Sequence, residues 1–301
     1  MVRISVIIPT LDRPGPLAAC LAALAVDFPL DAETIVVSDG GTHDLRQVVA
    51  PFVERLRLRL LSIENVGPAA ARNRGLEIAR GEIVVFTDDD CRPQSGWLAA
   101  LTSCVTLSPP RAVGGTTHNG LPGNAYADAT QLVLNLLSRH DRAKGRGERF
   151  VPSNNLACPA EPLRRLGGFD ERFRTAEDRE LRRRWAAAGF ALARVPGAVV
   201  EHDSRLGLVS FIRKFVAYGQ GACQFHASGR NPSLRESTAF HFKLPTLLLP
   251  ELRRRGLVRS TAIVVLLIVW EGANLAGFLS QWLGRSTEPA TAKAADLEGG
   301  R

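Results

Sequence analysis

Three consecutive acids, Asp88, Asp89 and Asp90, are the most chemically loaded stretch of the chain. They follow Ile83, Val84, Val85 and Phe86, a continuous apolar run of the kind that forms a parallel strand covered on both faces. Ligands of open α/β sheets bind just beyond the carboxyl ends of such strands. Adjacent carboxylates repel one another, so gathering three at a half-buried strand end is costly without a cation. Hard oxygen ligands suit Mg²⁺ or Mn²⁺, which reach substrates through phosphate oxygens. The stretch therefore reads as a metal–diphosphate site. Its alternative is a solvated acidic turn ahead of a helix over residues 94–101.

A second acidic group stands further on, in GGFDERFRTAED at 167–178. A helix is predicted to start there, with Leu181, Trp185 and Ala188 on one face, and to stop at Gly189. Glu177 and Asp178 fall at its N-terminus, where the dipole favours an ionised carboxylate able to act as a general base. The competing reading is a capping box, with Thr175 as cap and Asp178 three residues on. His202 ends an expected strand over 198–201. Neutral imidazole joins carboxylates on metals, although a lone histidine also serves as a structural hydrogen-bonding group.

The elements that must hold these groups alternate. Strands are expected at 4–8, 34–38, 56–61 and 83–86, with helices over 16–25 and 69–80. Strand–helix alternation predicts a doubly wound, mainly parallel sheet. Asp39-Gly40-Gly41 ends the second strand, where Asp39 could accept a donor group of a ligand or bond its own turn. Asn65-Val66-Gly67-Pro68 opens the second helix, which carries Arg72 near its beginning. A further strand is expected near 112–115. Beyond it lie a helix over 125–140, a flexible charged loop at 144–149 and a turn at 152–155.

With 301 residues, 45% of them hydrophobic and 23% charged, the chain has ample length for a core. Its formal charge of +8 is unevenly placed: residues 203–259 carry ten Lys/Arg against three Asp/Glu. That block directly precedes an apolar segment, which favours anionic lipid headgroups over nucleic acid. No nucleic-acid recognition module is visible. Leu208, Phe211, Ile212, Phe215 and Val216 recur at helical spacing, opposite Arg213 and Lys214. A loop is expected at 228–238. Residues 260–284 are long and apolar enough to cross a bilayer, with Glu271, Asn274 and Gln281 weighing against it. Five dispersed cysteines suggest buried thiols in a reducing compartment.

Taken in order, VIIPTLDR (6–13), IVVSDGG (35–41), NVGPAAARNRG (65–75), VVFTDDDC (84–91) and GGFDERFRTAED (167–178) resemble the inverting family-2 glycosyltransferases. The resemblance covers residues 3–205. It implies the GT-A fold, a Rossmann-like sheet flanked by helices, and a nucleotide-sugar donor, a UDP-sugar first. It implies that Thr10, Arg13, Asp39 and Arg72 hold the nucleotide, and that Asp88 and Asp89 line the diphosphate. Asp90 and Asp88, joined by His202, would take Mg²⁺ or Mn²⁺. Asp178 matches the catalytic base, with Glu177 as its neighbour. Ser38 departs from the family, standing where an acid commonly precedes Asp39. LRRRW at 181–185 looks like a processive-synthase signature but lacks its Gln, so a processive synthase is not inferred.

The expected organisation is a nucleotide-sugar-binding half at 1–115 and an acceptor half at 116–205. A basic amphipathic region at 206–259, an apolar helix at 260–284 and a disordered tail at 285–301 complete it. The acceptor would be a glycan, a lipid-linked sugar or another hydroxyl compound at the cytoplasmic face of the membrane, the protein being peripheral or single-span. The alternative is a non-catalytic, membrane-associated binder of sugar nucleotides or glycans. A nucleotidyltransferase would carry a basic, glycine-rich loop after its first strand, which PTLDRPG does not supply.

Overall fold

The computed structural model describes residues 2–143, 151–228, 234–253 and 256–286. The chain forms two compact units, residues 1–206 and 207–301. The first begins β1 (Ile4–Thr10), α1 (Pro14–Leu24), β2 (Ala32–Asp39), the single turns α2 (Arg46–Val49) and α3 (Val53–Leu56), β3 (Leu58–Ile63), α4 (Pro68–Ile78) and β4 (Ile83–Thr87). There follow β5 (Cys91–Pro93), α5 (Trp97–Ser103), β6 (Arg111–Asn119), α6 (Ala125–Ala143) and β7 (Asn155–Pro159). Helix α7 (Ala160–Arg165), α8 (Glu177–Ala187) and β8 (Ala191–His202) complete the unit.

The eight strands form one sheet in the order β3-β2-β1-β4-β7-β6-β8-β5. The expected parallel strands make up its first half, β1 pairing with both β2 and β4, and β2 with β3. Beyond β4 the sheet is mixed. β7 runs antiparallel to β4 and β6, β8 is parallel to β6, and β5 returns antiparallel along β8. The predicted division at residue 115 falls inside β6, so both halves share one sheet.

Every residue of β1, β2 and β4 is buried, as continuous apolar strands require. Alternation sends their side chains to two cores. Val6, Ile8, Val36 and Val85 meet Leu17 and Leu21 of α1 and Trp97 of α5 on one face. On the other, Ile7, Ile35, Val84 and Phe86 meet Leu76, Leu163, Leu181 and Trp185. Sandwiching the sheet in this way fixes β4, and so the acids at its carboxyl end, against the start of α4 and α8.

The second unit contains α9 (Leu208–Ala227), α10 (Leu234–Arg253) and α11 (Leu257–Ser286). Helix α10 begins within the expected 228–238 loop, and α11 begins ahead of residue 260 and extends two residues past 284. The predicted loop at 144–149 lies outside the described residues, as does the tail beyond Ser286. α9 and α11 pack closely through small residues: a Cβ on Gly219 would collide with the Asn274 carbonyl, and one on Gly277 with that of Val216. Residues Ser260–Gly284 are long and apolar enough to cross a membrane. Val264, Val265, Ile268, Leu275, Leu279, Trp282 and Leu283 leave an exposed stripe along them. Glu271, the acid within this stretch, is partnered, with His241 Nδ1 2.8 Å from its Oε1. Asn274 donates to the Trp270 carbonyl at 2.8 Å.

Candidate active site

The carboxyl end of β4 delivers the three acids to three different environments. Asp89 is fully buried. Its Oδ2 accepts from Thr10 Oγ1 at 2.5 Å and from Arg13 Nε at 3.0 Å, while Arg13 Nη2 bonds its Oδ1. Burial pushes its pKa up to about 6 against the pull of Arg13 and Thr10. The resemblance set Asp89, Thr10 and Arg13 among the donor contacts. Here they bond one another, and Asp89 has no surface to offer a ligand; its task is to hold the loop after β1 against the end of β4.

Asp90 faces the other way. Its Oδ2 accepts from Arg13 Nη1 at 2.8 Å, and its Oδ1 lies 3.2 Å from His202 Nε2. That approach lacks hydrogen-bond alignment, so Oδ1 is a buried acceptor without a donor. Burial works to raise the Asp90 pKa, but His202 and Arg13 outweigh it and hold the carboxyl well below its usual range. The strand register explains the meeting: Cys91 of β5 pairs with His202 of β8, and the Asp203 N–H bonds the Asp90 carbonyl at 2.8 Å. Among the described residues, ligand atoms of Asp90, Cys91 and His202 lie within 4.8 Å of one another. Burial, together with Asp88 and Asp90, pushes the Cys91 thiol up well above its usual value, so it stays neutral. The hard donors are thus Asp90 and His202. An orphaned carboxylate oxygen beside an imidazole fits a divalent cation.

Asp88 turns toward α4, where its Oδ1 accepts from Arg72 Nη2 at 2.8 Å. Arg72 Nη1 reaches Glu177 Oε1 at 3.0 Å, and the guanidinium lies 5.5 Å from the Phe169 ring centre. Sequence reasoning placed Arg72 against the nucleoside. In the structure it is 3% exposed and joins the acids of β4 to those of α8. Such a buried cation keeps two carboxylates together that would otherwise repel.

Glu177 and Asp178 open α8, as predicted, but without the capping box. The residue before the helix is Ala176, at φ +68°, which has no side-chain oxygen to cap with and leaves Thr175 one position too early. Asp178 Oδ1 accepts from the Arg179 N–H at 2.7 Å. Burial pushes up both carboxyl groups, Glu177 also through the neighbouring Asp178 charge, and Glu177 to about 7. The helix dipole favours ionisation here, but desolvation outweighs it.

Asp39 ends β2 with Oδ1 and Oδ2 accepting the Val66 and Gly67 N–H groups at 2.8 and 2.9 Å. It closes the turn that starts α4, and each oxygen keeps a lone pair for a further donor. Sequence reasoning missed Asn73, one residue past Arg72. Its amide bonds Phe169 and Glu171, partners almost a hundred positions away.

Residues 5–160 match the model of Glycosyl transferase family 2. Over 162 residues the chain is 35% identical to the pre-mycofactocin glycosyltransferase of Mycobacterium tuberculosis, covering 52% of this chain and 34% of that protein. The match therefore spans about a third of that relative's length. Over 283 residues it is 26% identical to glycosyltransferase AglE of Haloferax volcanii, covering 89% of this chain and 91% of that one. The fold matches the mannosyltransferase PcManGT from Pyrobaculum calidifontis, a structure in complex with GDP-Man and Mn²⁺. The TM-score is 0.63 at 22% identity, over 99% of this chain and 79% of that one. The sheet with its flanking helices is of the GT-A type, and the chain belongs to glycosyl transferase family 2.

Proposed function

We propose that the protein is an inverting glycosyltransferase that moves a sugar from a nucleotide-sugar donor to a hydroxyl acceptor. One observation carries this reading: Arg72 ties Asp88, at the end of β4, to Glu177, beside Asp178 at the start of α8. A diphosphate-facing acid and a candidate base are thereby held by one buried cation. Asp178, the acid not paired with Arg72 in a hydrogen bond, takes the proton of the acceptor hydroxyl as that oxygen attacks the anomeric carbon. A single displacement inverts the centre and releases the nucleoside diphosphate. Asp90 and His202, with Asp88 alongside, would hold Mg²⁺ or Mn²⁺, which would supply positive charge for the leaving diphosphate. Thr10, Arg13 and Asp39 line the nucleotide side, Thr10 and Arg13 by fixing Asp89 and Asp90. GDP-Man and Mn²⁺ in the mannosyltransferase of the same fold support a sugar nucleotide and a divalent cation.

The second unit, in the same proposal, attaches the enzyme to a membrane. The exposed apolar stripe of α11 and the excess of basic residues over 203–259 support a lipid surface with anionic headgroups. Nucleotide-sugar supply then puts the transferase unit on the cytoplasmic face, with a glycan or lipid-linked acceptor. The rival, a non-catalytic binder, would not need the acid pair at α8.

The test is a screen of UDP-, GDP- and dTDP-sugars with Mn²⁺ or Mg²⁺, reading thermal protection and release of free sugar. Metal-dependent protection by one donor class, with sugar release, is expected. Protection without any turnover supports the binder.

A further inference from the structure

Asn73 of α4 is 9% exposed, and its amide is fully engaged. Oδ1 accepts the Phe169 N–H at 2.8 Å, and Nδ2 donates to the Phe169 carbonyl at 2.8 Å and to Glu171 Oε1 at 2.9 Å. One side chain thus pairs with both backbone groups of a single residue, as a neighbouring strand would. The approach depends on position 168: Gly168 has φ +66°, and a Cβ there would collide with Asn73 Oδ1. The clasped residue, Phe169, is itself buried, edge-on to Phe86 of β4 at 5.1 Å and beside the Arg72 guanidinium.

From this clasp a short segment leads to Glu177. Its last residue, Ala176, holds a left-handed conformation that non-glycine residues avoid unless their surroundings impose it. The segment is pinned at both ends by consecutive residues of one helix, Asn73 at 169–171 and Arg72 at 177.

We propose that Asn73 is a positioning residue for the acid pair. By fixing the turn at 169–171 it sets where Glu177 and Asp178 stand relative to Asp88, and so how well the base meets the acceptor. This rests on the reading of Asp178 as base. An amide suits the task because it offers donor and acceptor at once and carries no charge that would disturb the nearby carboxylates.

The experiment compares Asn73→Ala, Asn73→Asp and the double variant Asn73→Asp with Glu171→Gln against the wild type, all as full-length protein. In the double variant the amide introduced at position 171 can donate to the carboxylate introduced at position 73, which restores one bond of the clasp. Measured are melting temperature, affinity for UDP or GDP with Mn²⁺, kcat and KM for nucleotide-sugar hydrolysis, and hydrogen exchange of the 167–178 amides. Nucleotide affinity is expected to stay within about 3-fold, while kcat falls by about 10-fold or more in both single variants. Exchange at 169–178 should quicken in both single variants, and the double variant, which recovers one bond of the clasp, should slow it again in part. A normal kcat in the folded fraction of Asn73→Ala, whatever its melting temperature, would overturn the proposal. Should Asn73→Ala not fold, Asn73→Asp decides the matter, and a normal kcat with unchanged exchange at 169–178 in its folded fraction overturns the proposal. Should the wild-type protein turn over no sugar nucleotide, the transferase reading fails by itself. Hydrogen exchange then decides the positioning claim, unchanged exchange at 169–178 overturning it.

Discussion

Arg72 and Glu177, 105 positions apart, form a nearly buried ion pair, Nη1 to Oε1 at 3.0 Å. Removing one member of a buried pair strands the other's charge. Arg72→Gln leaves Glu177 and Asp88 without their cation and should destabilise the fold by about 3–5 kcal/mol. Urea unfolding measures this; a loss under about 1 kcal/mol would mean that the bridge does not persist in solution.

The acid pair also sets a pH dependence. Burial raises both carboxyl groups, Glu177 to about 7, so protons bind them more readily than free carboxyls. Only the ionised base accepts a proton, so kcat should fall on the acid side, at a pH above that at which a free aspartate would lose its charge. Glu177→Gln removes the neighbouring like charge and leaves Arg72 to favour ionised Asp178. Its acid limb should therefore move to lower pH. Complete loss of activity would transfer the role of base to Glu177; an unmoved limb with activity retained would show that the Glu177 charge does not act on the base.

Metal binding separates the three groups that meet at β5 and β8. Asp90→Asn should abolish Mn²⁺-dependent nucleoside-diphosphate binding, and His202→Ala should weaken it by about 10-fold or more. Cys91→Ala should leave it unchanged, because the buried thiol stays neutral. Calorimetry with and without Mn²⁺ reads all three; loss of metal dependence in Cys91→Ala alone would put the sulfur in the coordination shell.

The acids of β4 were legible because a strand buried on both faces is written as an unbroken apolar run, and IVVF ends just ahead of DDD. The α8 acids were legible from the Leu181–Trp185 periodicity and the stop at Gly189. Contacts over long separations were not. Nothing local in ARNRG tells that Arg72 is buried between Asp88 and Glu177, or that Asn73 clasps Phe169. The antiparallel β7 was hidden too: NLACP is a five-residue run after the expected turn at 152–155, too short for periodicity to orient it. Likewise, Asp39 at a strand end shows an acceptor, but only the folded chain shows the Val66 and Gly67 amides it serves.

Membrane attachment is read from the stripe on α11. The full-length protein should sediment with vesicles containing anionic lipid and resist release by high salt, because apolar burial adds to the charge attraction. A chain ending at Leu206 should remain in solution. Full-length protein that stays soluble in high salt without detergent would contradict the anchor.

The role of Asp178 as base is tested most sharply by Asp178→Asn, which keeps size and removes basicity. Melting temperature, donor affinity and transfer rate are measured on one sample. Donor affinity and melting should stay near normal, with the rate lower by about 10²-fold or more. A variant that melts early yet transfers sugar at close to the wild-type rate would contradict this and leave Asp178 a structural residue of the helix start.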